Sequence, residues 1–153
     1  MNEIITINFD ALWDHVTKGF QCDPDSIHGP THWRRVEQNA LKISAMNGAQ
    51  IDVVKLFAVF HDSRRENDSV DFKHGAHGAK YAASLRGILF NLSDENFELL
   101  RYACIMHTRG QLSDDPTIGA CWDADRLDLT RIGETPRARF MSTAHGRSLC
   151  SQE

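Results

Sequence analysis

The sequence predicts an all-α protein: a single-domain bundle of about six or seven helices over residues 1–153. Three observations carry this. Apolar residues recur three and four apart along most of the chain. Segments rich in Gly, Pro, Asp and Ser interrupt them. No stretch alternates polar and apolar residues between turn signals, so no sheet is expected.

A first helix is expected from Asp10 to about Gln21, with Leu12, Trp13, Val16 and Phe20 on one face. The segment CDPDSIHGP reads as a loop. A second helix starts at Pro30 or Thr31, since proline suits the first helical position, and stops at Asn47-Gly48. The third, from about Asp52, carries VVKLFAVFHD and is apolar nearly all round, so it should be the central buried helix. The charged stretch SRRENDSVD follows it. A fourth helix spans roughly His74 to Phe90. Ser93 is the expected N-cap of a fifth, with Asp94 and Glu95 favouring its positive end and His107 closing it. A sixth runs from about Pro116 to Arg131, and PRARFMSTAHGRSL can form a last short helix.

Composition narrows the function. The chain is 41% hydrophobic and 25% charged, ordinary for a globular protein, and 153 residues suffice for a core. A formal net charge of −4 argues against non-specific nucleic-acid binding, which needs clustered positive charge. No run of about 18 apolar residues predicts a membrane span, and MNEIITINFD lacks the basic and apolar regions of a leader. The four cysteines are scattered and read as free thiols, with Cys104 and Cys121 in the core. A cytoplasmic location is the expectation.

Eight histidines are many for this length, and several stand in motifs. These are His28-Gly-Pro-Thr-His32-Trp, His61-Asp62, His74-Gly-Ala-His77-Gly, His107-Thr-Arg109-Gly and Asp123-Ala-Asp125-Arg126-Leu-Asp128. The His61-Asp62 pair is the sharpest clue. A carboxylate at the end of the most apolar helix is costly to bury unless a cation compensates it. Mixed imidazole and carboxylate donors suit Mn, Fe, Co, Ni or Zn better than Mg or Ca, and helix-bundle interiors are common places for metal sites.

This order of motifs resembles the HD superfamily of metal-dependent phosphohydrolases, and the resemblance runs from about His28 to Asp128. That family has a His on one helix, a His-Asp doublet on the next and a lone Asp on a later one. His32, His61, Asp62 and Asp125 match these places. The HGxxHWxRV and DADRLDL strings are similar to those of small stand-alone bacterial members. The resemblance implies one divalent metal on these four residues. It also implies a second on His74 and His107 with Asp62 bridging, His77 being the alternative to His74. The implied reaction is in-line attack on phosphorus by a metal-activated water. Asp62, Arg65 and His77 are the expected catalytic residues beyond the other ligands. His28 or His77 would protonate the leaving group. Arg64, Arg65, Lys73, Arg109 and Arg126 are candidate phosphate contacts, and Asp123 and Asp128 either orient a ligand or face solvent. Trp33 is read as packing.

The chain departs from several known patterns. Some HD nucleotidases carry Glu three residues after the doublet Asp, where this chain has Arg65. The acidic pair of the guanosine tetraphosphate hydrolases is not reproduced by Glu66 and Asp68. The GYP motif of cyclic-di-GMP phosphodiesterases is absent. The expectation therefore stops at a phosphatase or phosphodiesterase acting on a nucleotide or another small phosphate ester. A non-catalytic metal- or nucleotide-binding sensor and an HD-fold diiron oxygenase are the alternatives. Assembly into a homo-oligomer stays open.

Overall fold

The computed structural model describes residues 7–150, so most of the N-terminal stretch read for a leader lies outside it. Among these residues are seven α-helices: α1 (Phe9–Lys18), α2 (Pro30–Asn47), α3 (Ile51–Phe60), α4 (His74–Leu85), α5 (Asp94–Met106), α6 (Pro116–Arg126) and α7 (Ala144–Ser148). Two 3-10 segments, Leu127–Ile132 and Ala138–Phe140, complete the set, and no named strand occurs among the described residues.

Local chemistry sets most boundaries. Asn8 caps α1 through its side chain and Ser93 caps α5, while Asp115 accepts from Thr117 and Ile118 at the start of α6. Pro30 opens α2, and Gly48, in a left-handed conformation that favours glycine, closes it. Three expected boundaries shift. Helix α1 ends at Lys18, short of Gln21. Helix α4 ends at Leu85 instead of Phe90, because Gly87 takes a positive φ and its N–H turns back to the Phe90 carbonyl. Helix α6 stays α-helical only to Arg126 and then tightens to a 3-10 turn, which carries Asp128.

Helix α3 is the centre of the bundle, as its nearly all-round apolar surface predicts. Val53, Val54, Leu56, Phe57, Ala58, Val59 and Phe60 are all fully buried. It packs against α2, α5, α6 and α4. Each large side chain buried here contributes about 1.5–3 kcal/mol relative to exposure. Because α3 ends at the middle of the bundle, the residues that follow it, His61 and Asp62, sit deep inside and not at the surface. Cys104 and Cys121 are buried free thiols, and burial lifts both above their ordinary range. No helix among the described residues is long and apolar enough to cross a membrane.

Candidate metal centre

Five helices or their ends converge on one buried cluster. His32 comes from the first turn of α2, His61 and Asp62 from the end of α3, His74 from the start of α4, His107 from the end of α5 and Asp125 from the end of α6. His32 and His61 are fully buried, and Asp62, His74 and His107 nearly so. The glycines of the His74-Gly75-Ala76-His77-Gly78 motif make this approach feasible. A Cβ on Gly75 would collide with the Cys104 carbonyl of α5, and one on Gly78 with the Phe60 carbonyl of α3. These two glycines therefore set how closely α4 lies on its neighbours, and so how closely His74 comes to Asp62.

The donor atoms fall into two groups that share Asp62. Its Oδ2 lies 3.3 Å from His32 Nε2 and 3.6 Å from His61 Nε2, while Asp125 Oδ1 lies 3.1 Å and 3.4 Å from the same two nitrogens. Its Oδ1 lies 3.1 Å from His74 Nε2 and 3.5 Å from His107 Nε2. Within each pair the nitrogens are close: His32 Nε2 to His61 Nε2 is 3.1 Å, and His74 Nε2 to His107 Nε2 is 3.0 Å. Two ligand atoms each about 2.1 Å from one ion stand about 3.0–3.4 Å apart at octahedral to tetrahedral angles. Every distance above falls in that range or within about 0.2 Å of it.

The tautomers strengthen the fit. His61 Nδ1 faces the carbonyls of Phe57 and Ala58, His74 Nδ1 that of Asp71, and His107 Nδ1 that of Cys104. A carbonyl oxygen only accepts, so each Nδ1 must donate, and a neutral ring then carries a bare lone pair on Nε2. At 3.0 Å two such lone pairs repel. Each imidazole pair therefore needs a positive charge between its nitrogens, either a proton or a metal ion. Nδ1–H bonded to a fixed oxygen is also how metal-binding histidines are oriented.

Charge in the cluster points the same way. Burial alone would raise Asp62, but His61, His107, His28 and His32 outweigh it and hold the carboxyl well below its usual range. Burial likewise opposes charge on Asp125, and His32 and His61 overcome it. Burial disfavours the His32 cation, yet Asp125, Asp128 and Asp62 lift it to about 10. The carboxylates stay ionised at neutral pH and create a strong local demand for cations. Two groups, His32 with His61 and Asp62, and Asp62 with His74 and His107, could each hold a metal ion.

Around the donors lies a cavity of about 300 Å³, lined by His28, Asp62, Arg65, His107, Asp125 and Arg126 among others. His28 approaches Asp62 Oδ2 at 3.5 Å from the α1–α2 loop. Trp33 holds that loop, donating its indole N–H to the His28 carbonyl at 2.8 Å. The residue read as packing thus also fixes a cavity wall. Arg65 reaches to 3.8 Å from Asp62 Oδ1.

Other expected site residues fall elsewhere. His77 does not line this cavity. It faces a separate pocket of about 410 Å³ with Arg64, Lys80 and Tyr81, because the face of α4 that holds Gly75 and Gly78 is the one pressed on the bundle. The leaving-group role read for His77 therefore has no support from its position. Arg64 stacks over Tyr81. Lys73 is exposed, and Arg109 lines an adjoining cavity.

Asp128 and Asp123 separate cleanly. Asp128 Oδ2 accepts from His32 Nδ1 at 2.7 Å, and its Oδ1 accepts from Arg35 Nε at 2.7 Å. It orients the His32 ring. Asp128→Asn is expected to weaken metal binding by roughly 10–100-fold while the fold stays intact; titration with metal, beside a melting curve, checks this. Asp123 is buried away from the donors and accepts from the Ser142 and Thr143 N–H groups and the Thr143 hydroxyl, each at 2.7 Å. It anchors the C-terminal segment. Asp123→Ala should cost about 2 kcal/mol, since it leaves buried donors unpaired, and lower Tm by roughly 5 °C. Metal content should not change, which elemental analysis would verify.

No known family's sequence pattern matches the chain, and no curated protein matches it. Its structure, however, is similar to that of a predicted HD superfamily hydrolase from an uncultured Thermotogales bacterium. The TM-score is 0.72 at 24% identity, over 94% of this chain and 83% of that one. The chain therefore has the all-α fold that the motif resemblance implied.

Proposed function

We propose that this chain, acting as one domain, is a metal-dependent phosphohydrolase of the HD superfamily. Its substrate would be a nucleotide or another small phosphate ester. The observation that carries the reading is Asp62, set between two imidazole pairs on the wall of an arginine-lined cavity. His32, His61, Asp62 and Asp125 would hold one divalent ion. Asp62, His74 and His107 would hold a second. Imidazole-rich donors favour Mn, Fe, Co, Ni or Zn. Such ions supply Lewis acidity and lower the pKa of water toward neutrality.

The protein's own contribution is positioning and charge. Asp128 and the backbone carbonyls fix the imidazole rings. Arg65, Arg126 and Arg131 line the cavity and suit an anionic phosphoryl group, whose transfer depends mostly on electrostatic stabilisation. His28, at the cavity wall with its Nδ1 3.5 Å from Asp62 Oδ2, would give a proton to the leaving oxygen.

The test is metal analysis of protein purified without added metal, with a phosphatase and phosphodiesterase panel supplemented with Mn, Co, Ni or Mg. Bound metal with metal-dependent release of phosphate or nucleotide supports the reading. Stoichiometric metal with no turnover favours the sensor, or, with an iron signature, the oxygenase. No affinity for any metal overturns it.

A further inference from the structure

Five buried side-chain nitrogen or oxygen atoms lack a hydrogen-bond partner among the described residues. Three of them, His28 Nδ1, Arg65 Nε and Arg126 Nη2, belong to residues lining the cavity over the metal cluster. Leaving a buried donor unpaired is costly, so their gathering at one place marks a place for a ligand. We infer that Arg65 and Arg126 form a two-sided guanidinium clamp that recognises a terminal phosphoryl group, so that the substrate is a phosphomonoester or a chain ending in phosphate, not a phosphodiester. This rests on the phosphohydrolase reading for the site.

Both arginines are more than nine-tenths buried, at 8% exposure each. Both are also held by bonds that leave part of the fork free. Arg65 Nη1 donates to the Asn67 and Ser69 carbonyls at 3.1 and 3.2 Å, so its stem is fixed while Nε stays open. The neighbouring Asp62 Oδ1, at 3.8 Å, is too distant to accept from it. Arg126 Nη1 donates to the Phe140 carbonyl at 2.9 Å, and its guanidinium lies over the Trp122 ring. Nη2 remains open. Held in this way, the guanidinium groups meet an oxyanion with little further loss of side-chain freedom.

The two residues also bracket the cavity. Arg65 stands at its boundary with an adjoining cavity of about 570 Å³ that holds Phe72 and Arg109. Arg126 stands at its boundary with another of about 220 Å³ that holds Phe140 and Met141. Oxygen count then selects the substrate. A terminal phosphoryl group has three non-bridging oxygens, enough to meet the cluster and an arginine on each side. A diester has two and carries one negative charge fewer at neutral pH, so it would offset the two guanidinium charges less fully and share fewer oxygens between them and the cluster. An unpaired buried donor is how a polar site rejects an analogue lacking the matching group.

Calorimetry on the metal-loaded protein tests this with two probes, inorganic phosphate and dimethyl phosphate. Phosphate should bind at least tenfold more tightly. Arg65→Met and Arg126→Met, with metal content and melting curves as checks, should each weaken phosphate about tenfold. Arg126 also braces Phe140, so Arg126→Lys serves as a second variant if the methionine form does not fold. It keeps the charge but loses the fork, and several-fold weaker phosphate binding is expected. Equal affinity for the two probes would overturn the inference. So would folded, metal-loaded variants that bind phosphate like the parent, because phosphate would then be held by the metals alone. Arginine-dependent phosphate binding without turnover of any ester would leave the clamp standing and remove the hydrolase reading. Turnover of diesters with no phosphate preference would do the reverse.

Discussion

Asp62→Ala is expected to lose metal from both donor groups and to lower phosphohydrolase activity about a thousandfold. Its two oxygens serve different groups, Oδ2 facing His32 and His61 and Oδ1 facing His74 and His107, so one truncation removes a donor from each. The carboxylate is also the anion that offsets cations in a largely buried cluster. Without it, Asp125 alone carries negative charge among the donors. Metal ions contribute several kcal/mol of transition-state stabilisation, and each 1.36 kcal/mol is tenfold in rate, which gives the expected size. Asp62→Asn, nearly the same shape, separates charge from packing and should lose activity to a similar degree. Elemental analysis and initial rates are the measurements. A folded Asp62→Ala protein with full metal or full activity would remove Asp62 from the centre of the site.

His61-Asp62 was legible from sequence for a physical reason: an acid at the end of the most apolar helix is costly to bury unless a cation compensates it. The order of His32, the doublet and Asp125 made the fold legible too, and the structural likeness agrees with it. Asp128 was less clear, because its role depends on a change of helix type. From Leu127 the chain tightens to a 3-10 turn, in which side chains three apart eclipse. Asp128 then follows Asp125 onto the face of His32, one acid at each ring nitrogen. His77 shows the opposite failure. Its motif places it three residues from His74, but which of the two turns inward is decided by where Gly75 and Gly78 let α4 touch α5 and α3. That is a tertiary fact. Arg65 and Arg126 were among the candidate phosphate contacts, but which of their nitrogens lack partners depends on packing that the sequence does not show.

Removing metal with a chelator is expected to lower Tm by about 10 °C for each ion lost, and this shift also counts the ions. A ligand that binds only the folded chain stabilises it by about 4 kcal/mol at a thousand times its Kd, and a chain of this size shifts by roughly 2–4 °C per kcal/mol. The architecture adds to the effect. With no ion present, the imidazole pairs at 3.1 and 3.0 Å need protons to hold them together, and the ionised Asp62 and Asp125 face each other's field across the same space. His74→Ala and His107→Ala remove donors from one group only, because His32, His61, Asp62 and Asp125 form the other without them. If two ions bind, either variant should show about half of the parent's chelator shift and keep one ion by elemental analysis. If the cluster takes a single ion on the His32 side, both variants should keep the whole shift. A parent protein whose melting curve ignores chelator and added metal alike would mean that protons, not metal ions, supply the charge these carboxylates demand.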